Sequence, residues 1–329
     1  MKSHPIAIIG AGIAGLACAL SLAEAGRPVV LFDKGRRPGG RIATRRADGT
    51  SFDHGAQFAT ARGLGLSGWM QRLQAEGAAA PWPQAQRGTD LAWVGLPGMS
   101  AIPGAMAGRL QALGGVIHTE RHVGFLHDTR LRHFPAAEVK PGFVSETGGT
   151  LTEPFDSVIL ALPAPQAAPL LGAIHHPLAA PAASAVIAPC WAVMLGFDAP
   201  ITAPDCQRPA EGPLAWIARN SSRPGHKALP DTWVLHATAA WSRIHLEKPG
   251  DAVASLLFDA FRTATGSNAT PALMTAHRWR YALVEQPIGH PFLWDAPTRI
   301  GACGDWCLGP RVEAAFDSGA ALAASLLAG

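Results

Sequence analysis

The stretch "IAIIGAGIAGLACALSLA", Ile6 to Ala23, carries no charge over eighteen residues. A membrane-spanning helix needs about 20 apolar residues, and a signal-peptide core preceded by Lys2 and followed by Ala23-Glu24-Ala25 would look much the same. Neither reading explains Gly10, Gly12 and Gly15, or the sequel: Gly26, then "RPVVLFDK". One reading uses every feature. "IAIIG" is a buried strand, "GAGIAG" a tight turn, Leu16 to Ala25 a helix stopped by Gly26, and Pro28 to Asp33 the next strand. This is a βαβ unit carrying G-x-G-x-x-G, with an acid 23 residues after Gly10. It commits the chain to an α/β fold with a nucleotide at the turn. Gly10 permits the sharp bend, Gly12 lets the backbone approach a pyrophosphate, and Gly15 lets the helix sit close on the strand. Ala11, Ile13 and Ala14 complete the cradle, whose free N–H groups and helix dipole favour an anion. Asp33, with Lys34 beside it, is expected to meet ribose hydroxyls. Its charge would repel a 2′-phosphate, which argues against NADP at this turn.

Composition narrows the function classes. At 48% hydrophobic and 16% charged, with a net charge of +3 over 329 residues, the chain is globular and nucleic acid is not an expected partner. Five scattered cysteines suit a reducing compartment, so a cytoplasmic location with no membrane span is expected. Cys303 and Cys307 have no second ligand pair nearby and read as structural thiols. His118, Glu120 and His122 alternate along a strand-like run and read as a polar face. No metal is expected. Ten Trp against a single Tyr supply large aromatic walls.

Past Asp33 comes "KGRRPGGRIATRR", where Gly39-Gly40-Arg41 can fold back over a pyrophosphate, with Arg41 supplying charge. Nicotinamide dehydrogenases have no need of this second loop, whereas long flavin cofactors use it. Near the C-terminus, "TRIGACGDW" reads as a strand ending in Gly304-Asp305. A helix then opens near Pro310, with Val312, Ala315/Phe316, Gly319, Leu322 and Leu326 on one face. An Asp at a strand end followed by a helix N-terminus (Arg311, Val312, Glu313) is a receptor for a flavin's ribitol and pyrophosphate.

These residues, with "FDHGAQF" (Phe52 to Phe58), "GLPGMSAI", "VILALPAPQAAPLL", "HRWRYA" (His277 to Ala282) and "GDWCLGPRVEAAF", resemble the bacterial renalase-like flavoproteins, relatives of the monoamine-oxidase-like flavin amine oxidoreductases. The resemblance runs from residue 6 to 328 and is thin between about 175 and 275. It implies non-covalent FAD in a Rossmann-like domain interrupted by an α+β substrate domain. The FAD-binding domain would comprise 1–75, 97–163 and 276–329, and the substrate domain 76–96 and 164–275. It implies oxidation of 1,2- or 1,6-dihydro-NAD(P) to NAD(P)+ by hydride transfer, so the expected partner is a small dihydropyridine nucleotide. By analogy His54, Gly55, Ala56, Gln57 and Phe58 approach the flavin, backbone near Val123 receives the adenine, and Trp306 flanks the ring. In a strand, His277, Trp279 and Tyr281 share one face and Arg278 and Arg280 the other. Trp279, Tyr281, His277 and Gln57 are the candidates for substrate contact, with His54 more often a structural hydrogen-bonding group. An amine oxidoreductase on the same frame, or a non-catalytic flavin-binding protein, remain alternatives. A two-tyrosine amine cage is impossible with one Tyr.

Among the remaining elements, helices are expected at 65–77, from Ser100 to a stop at Gly114, and over Asp251 to Thr265 with Val253, Leu256/Leu257, Ala260 and Phe261 inward. "VIHTERHVGFL" reads as one strand, "GFVSETGGTLTEPF" as a hairpin around Gly148-Gly149, and "CWAVMLGF", "LAWIARN" and "TWVLHATAA" as strands of the substrate domain.

Overall fold

The computed structural model describes residues 4–47, 49–86, 88–140 and 143–329. The uncharged N-terminal run forms the strand Ile6–Ile9 and the helix Ile13–Glu24, followed by the strand Val29–Phe32. These strands lie in a six-stranded sheet in the order Leu293–Asp295, Ile300–Ala302, Ser157–Leu160, Ile6–Ile9, Val29–Phe32, Val116–His118. All pairings are parallel except that of Leu293–Asp295, which runs antiparallel along the edge. "IAII" and "SVIL" are buried along their whole length, as continuous apolar runs in a sheet covered on both faces must be. No helix among the described residues is long and apolar enough to cross a membrane.

The last helix, Val312–Ala328, packs directly on Ile13–Glu24. A Cβ built on Gly319 would lie 2.0 Å from the Ala14 carbonyl oxygen, so only glycine allows this approach. Gly319→Val should therefore separate the two helices, at a cost of about 3 kcal/mol or more. Thermal unfolding checks this: a variant melting at the wild-type temperature would contradict the packing.

The second sheet is antiparallel, in the order Cys206–Gln207, Leu214–Arg219, Asp231–Ala237, Val186–Phe197, Leu273–Gln286. The helix Gly250–Thr265 covers one face, its Val253, Leu257 and Phe261 packing with Trp191, Leu195 and Trp233. Leu256 is exposed, so of the expected Leu256/Leu257 pair only Leu257 turns inward. The opposite face meets the N-terminal half through Met194 and Val234 against Phe52.

Several expectations are corrected. "VIHTERHVGFL" is two strands. Val116–His118 ends the six-stranded sheet, the backbone turns through Glu120 at φ 56°, and Arg121–His127 joins a separate three-stranded sheet with Arg130–Pro135 and Thr150–Leu151. Among the described residues no hairpin forms around Gly148-Gly149: Thr150–Leu151 pairs back onto Arg130–Pro135, and Gly142 lies outside them. Residues 164–185, expected in the substrate domain, form the helices Ala164–Ala173 and Ala179–Ala183. Their Ala167, Leu170, Leu171 and Ala182 bury themselves with Ala7, Ile9 and Leu160 of the six-stranded sheet. The boundary expected at 275/276 falls inside the continuous strand Leu273–Gln286, so the chain leaves the second sheet only after Gln286.

Candidate active site

A cavity of about 1600 Å³ opens at the ends of Ile6–Ile9, Val29–Phe32 and Ser157–Leu160, and reaches the second sheet. The C-terminal edge of a parallel sheet, where successive chains diverge, is where α/β folds bind ligands. The volume exceeds the roughly 300–1,000 Å³ usual for a drug-sized ligand, leaving room for a dinucleotide and a second molecule.

At the near end, Gly10 has φ +106°, and a Cβ there would sit 2.4 Å from the Ala161 carbonyl oxygen. At Gly12 a Cβ would meet nothing within 4 Å, because the residue faces the open cavity. The Gly39 N–H donates to the Ala11 carbonyl at 2.8 Å, which folds the second glycine loop back over the turn. Two helix N-termini border the same space, at Gly12-Ile13-Ala14 and Pro310-Arg311-Val312. Both present positive dipole ends to an anion. The Asp33 carboxylate accepts the Ala11 and Gly35 N–H groups at 2.6 Å each. Burial pushes this carboxyl up and the two amides pull it back down, with burial prevailing. Lys34 lines the cavity alongside. Val123 also lines it, at an irregularity in its ladder.

Five residues expected at the ligand have partners inside the protein or lie behind the cavity wall. Arg41 reaches Asp305 through two bonds of 2.8 and 2.6 Å, so its guanidinium clamps the second glycine loop to the Gly304-Asp305 element at the cavity wall. Glu313 turns away: its carboxylate accepts the Arg62 and Gly63 N–H groups at 2.5 and 2.6 Å. Ala11 and Gly15 are buried behind the turn, and Gly15, where a Cβ would be 2.0 Å from the Gly10 oxygen, allows the close helix–strand approach expected of it. Trp306 is fully buried, its Nε1 donating to the Leu162 carbonyl at 2.9 Å, and does not flank the cavity.

At the far end, the alternation along "HRWRYA" holds. Arg278 and Arg280 both bond Glu247, while Trp279 Nε1 donates to the His54 carbonyl at 3.0 Å. His277, Trp279 and Tyr281 line the cavity together with His54, Gly55, Ala56, Gln57 and Phe58. The His54, His277 and Trp279 rings cluster with centroids 4.5–5.0 Å apart. The His54 carbonyl also accepts His236 Nε2 at 3.1 Å. Its side-chain Nδ1 is buried without a partner.

Burial, aided by neighbouring positive charge, pushes His54 down to about 3 and His236 down to about 4, so both are neutral near pH 7. Their pKa values in the folded protein lie below that of an unfolded histidine, so the unfolded chain binds more protons once pH drops below about 6.5. Stability should be full above that pH and fall as pH is lowered towards 4. His236 alone contributes about 3 kcal/mol to that fall. Urea denaturation between pH 7.5 and 4.5 measures this, and His236→Asn should flatten the profile.

Sequence reasoning missed a buried polar cluster beside this wall: Asp53, Asn220, Arg223 and His226. Arg223 Nε lies 3.3 Å from Asp53 Oδ2, and both residues are almost inaccessible to solvent. Asp53 sits inside "FDHGAQF" and was within reach of the motif. Arg223 and Asn220 lie in "RNSSRPGHK", a loop with no periodicity to mark them.

Comparison with known proteins identifies the frame. An NAD(P)-binding Rossmann-like domain profile matches residues 8–73, and the profile of the flavin containing amine oxidoreductases matches residues 63–326. The chain belongs to the flavin-containing amine oxidoreductase family. Hydroxyneurosporene desaturase of Rubrivivax gelatinosus is 42% identical over 62 residues, 19% of this chain and only 12% of that protein's length. Cyclohexylamine oxidase of Brevibacterium oxydans IH-35A superposes over 99% of both chains with a TM-score of 0.66 at 12% identity. Reduced UDP-galactopyranose mutase covers 100% of this chain and 94% of its own, with a TM-score of 0.70 at 12% identity. At such identities the structures share the fold.

The cofactor of this family member is FAD. The open Gly12, the paired helix N-termini and the loop folded over the turn fit its pyrophosphate, and Asp33 fits a ribose. Asp33→Ala should weaken FAD retention by about 1–3 kcal/mol, through the lost charge-assisted bond and a loosened turn. Equilibrium dialysis against FAD reads this directly, and unchanged retention would remove Asp33 from the site.

Proposed function

We propose that the protein oxidises isomeric dihydro-NAD(P), carrying its hydride on ring carbon 2 or 6, to NAD(P)+. The observation that carries this reading is the charge of the cavity. Among the described residues its lining includes ten Lys and Arg residues against two carboxylates, Asp33 and Asp305; with Arg41 paired to Asp305, and Arg278 and Arg280 to Glu247, the lining still carries a net positive charge. A protonated amine finds no free counter-ion there. A second phosphate-bearing nucleotide finds a favourable field.

Bound FAD supplies a two-electron acceptor. The chain's part is to bind, orient and keep dry. Trp279, held by the His54 carbonyl, and Tyr281 offer flat faces to a dihydropyridine. His277 and His54 close the aromatic wall behind them. A dihydropyridine that loses hydride becomes an aromatic pyridinium, so no proton has to move. A wall of histidines kept neutral by burial suits that requirement. Cys303 and Cys307 are buried away from the cavity wall and burial pushes both thiols up, which supports non-covalent FAD. All five cysteines are free, in agreement with a cytoplasmic setting.

Amine oxidation on the same frame is the second reading, favoured by the family match. Steady-state turnover with an artificial electron acceptor separates the two. One NAD(P)+ formed per two electrons passed supports the dihydropyridine reading, and aldehyde formation from simple amines would replace it.

A further inference from the structure

We propose that Arg223 is a positioning residue that fixes the side chain Gln57 presents to the cofactor cavity. Arg223 comes from the loop after Leu214–Arg219, in the second sheet, whereas Gln57 belongs to the N-terminal half. Arg223 is 2% exposed, and its guanidinium lies 4.6 Å over the Trp82 ring. Its Nη2 donates to the Gln57 carbonyl, and Nη1 lies 3.4 Å from Gln57 Oε1. On the other side, Gln57 Nε2 donates to the Asp53 carbonyl. These partners settle which end of the Gln57 amide is oxygen, since guanidinium only donates and a carbonyl only accepts. One N–H and one lone pair of that amide are left without an assigned partner, and Gln57 is among the residues that line the cavity.

The neighbours of Arg223 are themselves pinned. Asp53 Oδ1 accepts from Thr44 Oγ1 at 2.5 Å and from the Met99 N–H at 2.8 Å. Asn220 Oδ1 accepts the Asp53 N–H at 3.2 Å, and its Nδ2 donates to the Ser51 carbonyl at 2.8 Å. The same Nδ2 lies 3.2 Å from both Thr232 Oγ1 and His226 Nδ1, and His226 Nε2 lies 3.8 Å from Asp53 Oδ2. Apolar residues of equal volume can hold two halves of a protein together as well as a buried ion pair does. What the pair adds is fixed direction, and the group it directs is Gln57.

The test uses the FAD-loaded protein and needs no substrate, so it stands apart from the identity of the reaction. Gln57→Leu, Arg223→Lys and the double variant are compared by the absorption bands of bound FAD and by its dissociation constant. Gln57→Leu should shift the bands and weaken FAD about 3- to 10-fold, the scale of one hydrogen bond. Arg223→Lys should reproduce the band shift and the weakening, and the double variant should add less than about twofold, as coupled residues do. Additive effects, or an unchanged spectrum in either single variant, would overturn the proposal. Should Arg223→Lys not fold, Arg223→Met with Asp53→Asn removes both charges together, leaves neither unpaired, and carries the same comparison.

Discussion

Gly12→Val should give a folded but colourless protein. Nothing lies within 4 Å of a Cβ at this position, so the apoprotein tolerates the side chain. The valine instead fills the space where the turn and the Ile13–Glu24 N-terminus would meet the FAD pyrophosphate. Losing two charge-assisted bonds to backbone N–H groups costs about 1.5–3 kcal/mol each, hence roughly 10²–10⁴-fold in FAD affinity. Circular dichroism and flavin released on denaturation check the two halves of the claim. A yellow Gly12→Val protein with wild-type FAD content would mean that the pyrophosphate lies elsewhere.

Trp279→Ala should leave FAD bound and slow its reduction by about 100-fold, because a misplacement of about 1 Å at a reacting centre has that effect. The indole is tied to the His54 carbonyl and packed on the His54 and His277 rings, so truncation removes a wall and lets its neighbours relax. Tyr281→Ala should act in the same direction more weakly, since the structure gives Tyr281 a place on the wall without a comparable anchor. Single-turnover reduction followed by flavin absorbance measures both. A Trp279→Ala protein reduced at the wild-type rate would remove this wall from the reaction.

How much of this was legible in the sequence depends on the range of the cause. The Gly10-to-Asp33 unit was readable because each residue acts on near neighbours: a turn, a helix stop, an acid at the next strand end. The alternation in "HRWRYA" was readable because strand geometry sends successive side chains to opposite faces. The break at Glu120 was not, since an alternating polar pattern is the same whether it serves one sheet or two. The ion pair of Arg41 with Asp305, 264 positions away, is not legible locally, because nothing in the sequence distinguishes a guanidinium aimed at a ligand from one that also meets a carboxylate. Glu313 likewise has partners that the local sequence does not show, its carboxylate accepting the backbone N–H groups of Arg62 and Gly63. Residues 164–185 looked foreign to the first domain through their Ala and Pro content, yet small side chains are what lets their helices lie close on the sheet. Of the Arg223 network only Asp53 stands in a motif; Asn220, Arg223 and His226 gain meaning only when the two halves of the molecule meet.

Anaerobic mixing of the FAD-loaded protein with 1,2- or 1,6-dihydro-NAD(P) tests the central claim most directly. The flavin should bleach in one two-electron step with NAD(P)+ formed in equal amount. The ordinary 1,4-dihydro isomer should react orders of magnitude more slowly, because in the same pose its hydride carbon lies away from the acceptor. Rapid bleaching by simple amines, with none by the dihydropyridine isomers, would contradict the account.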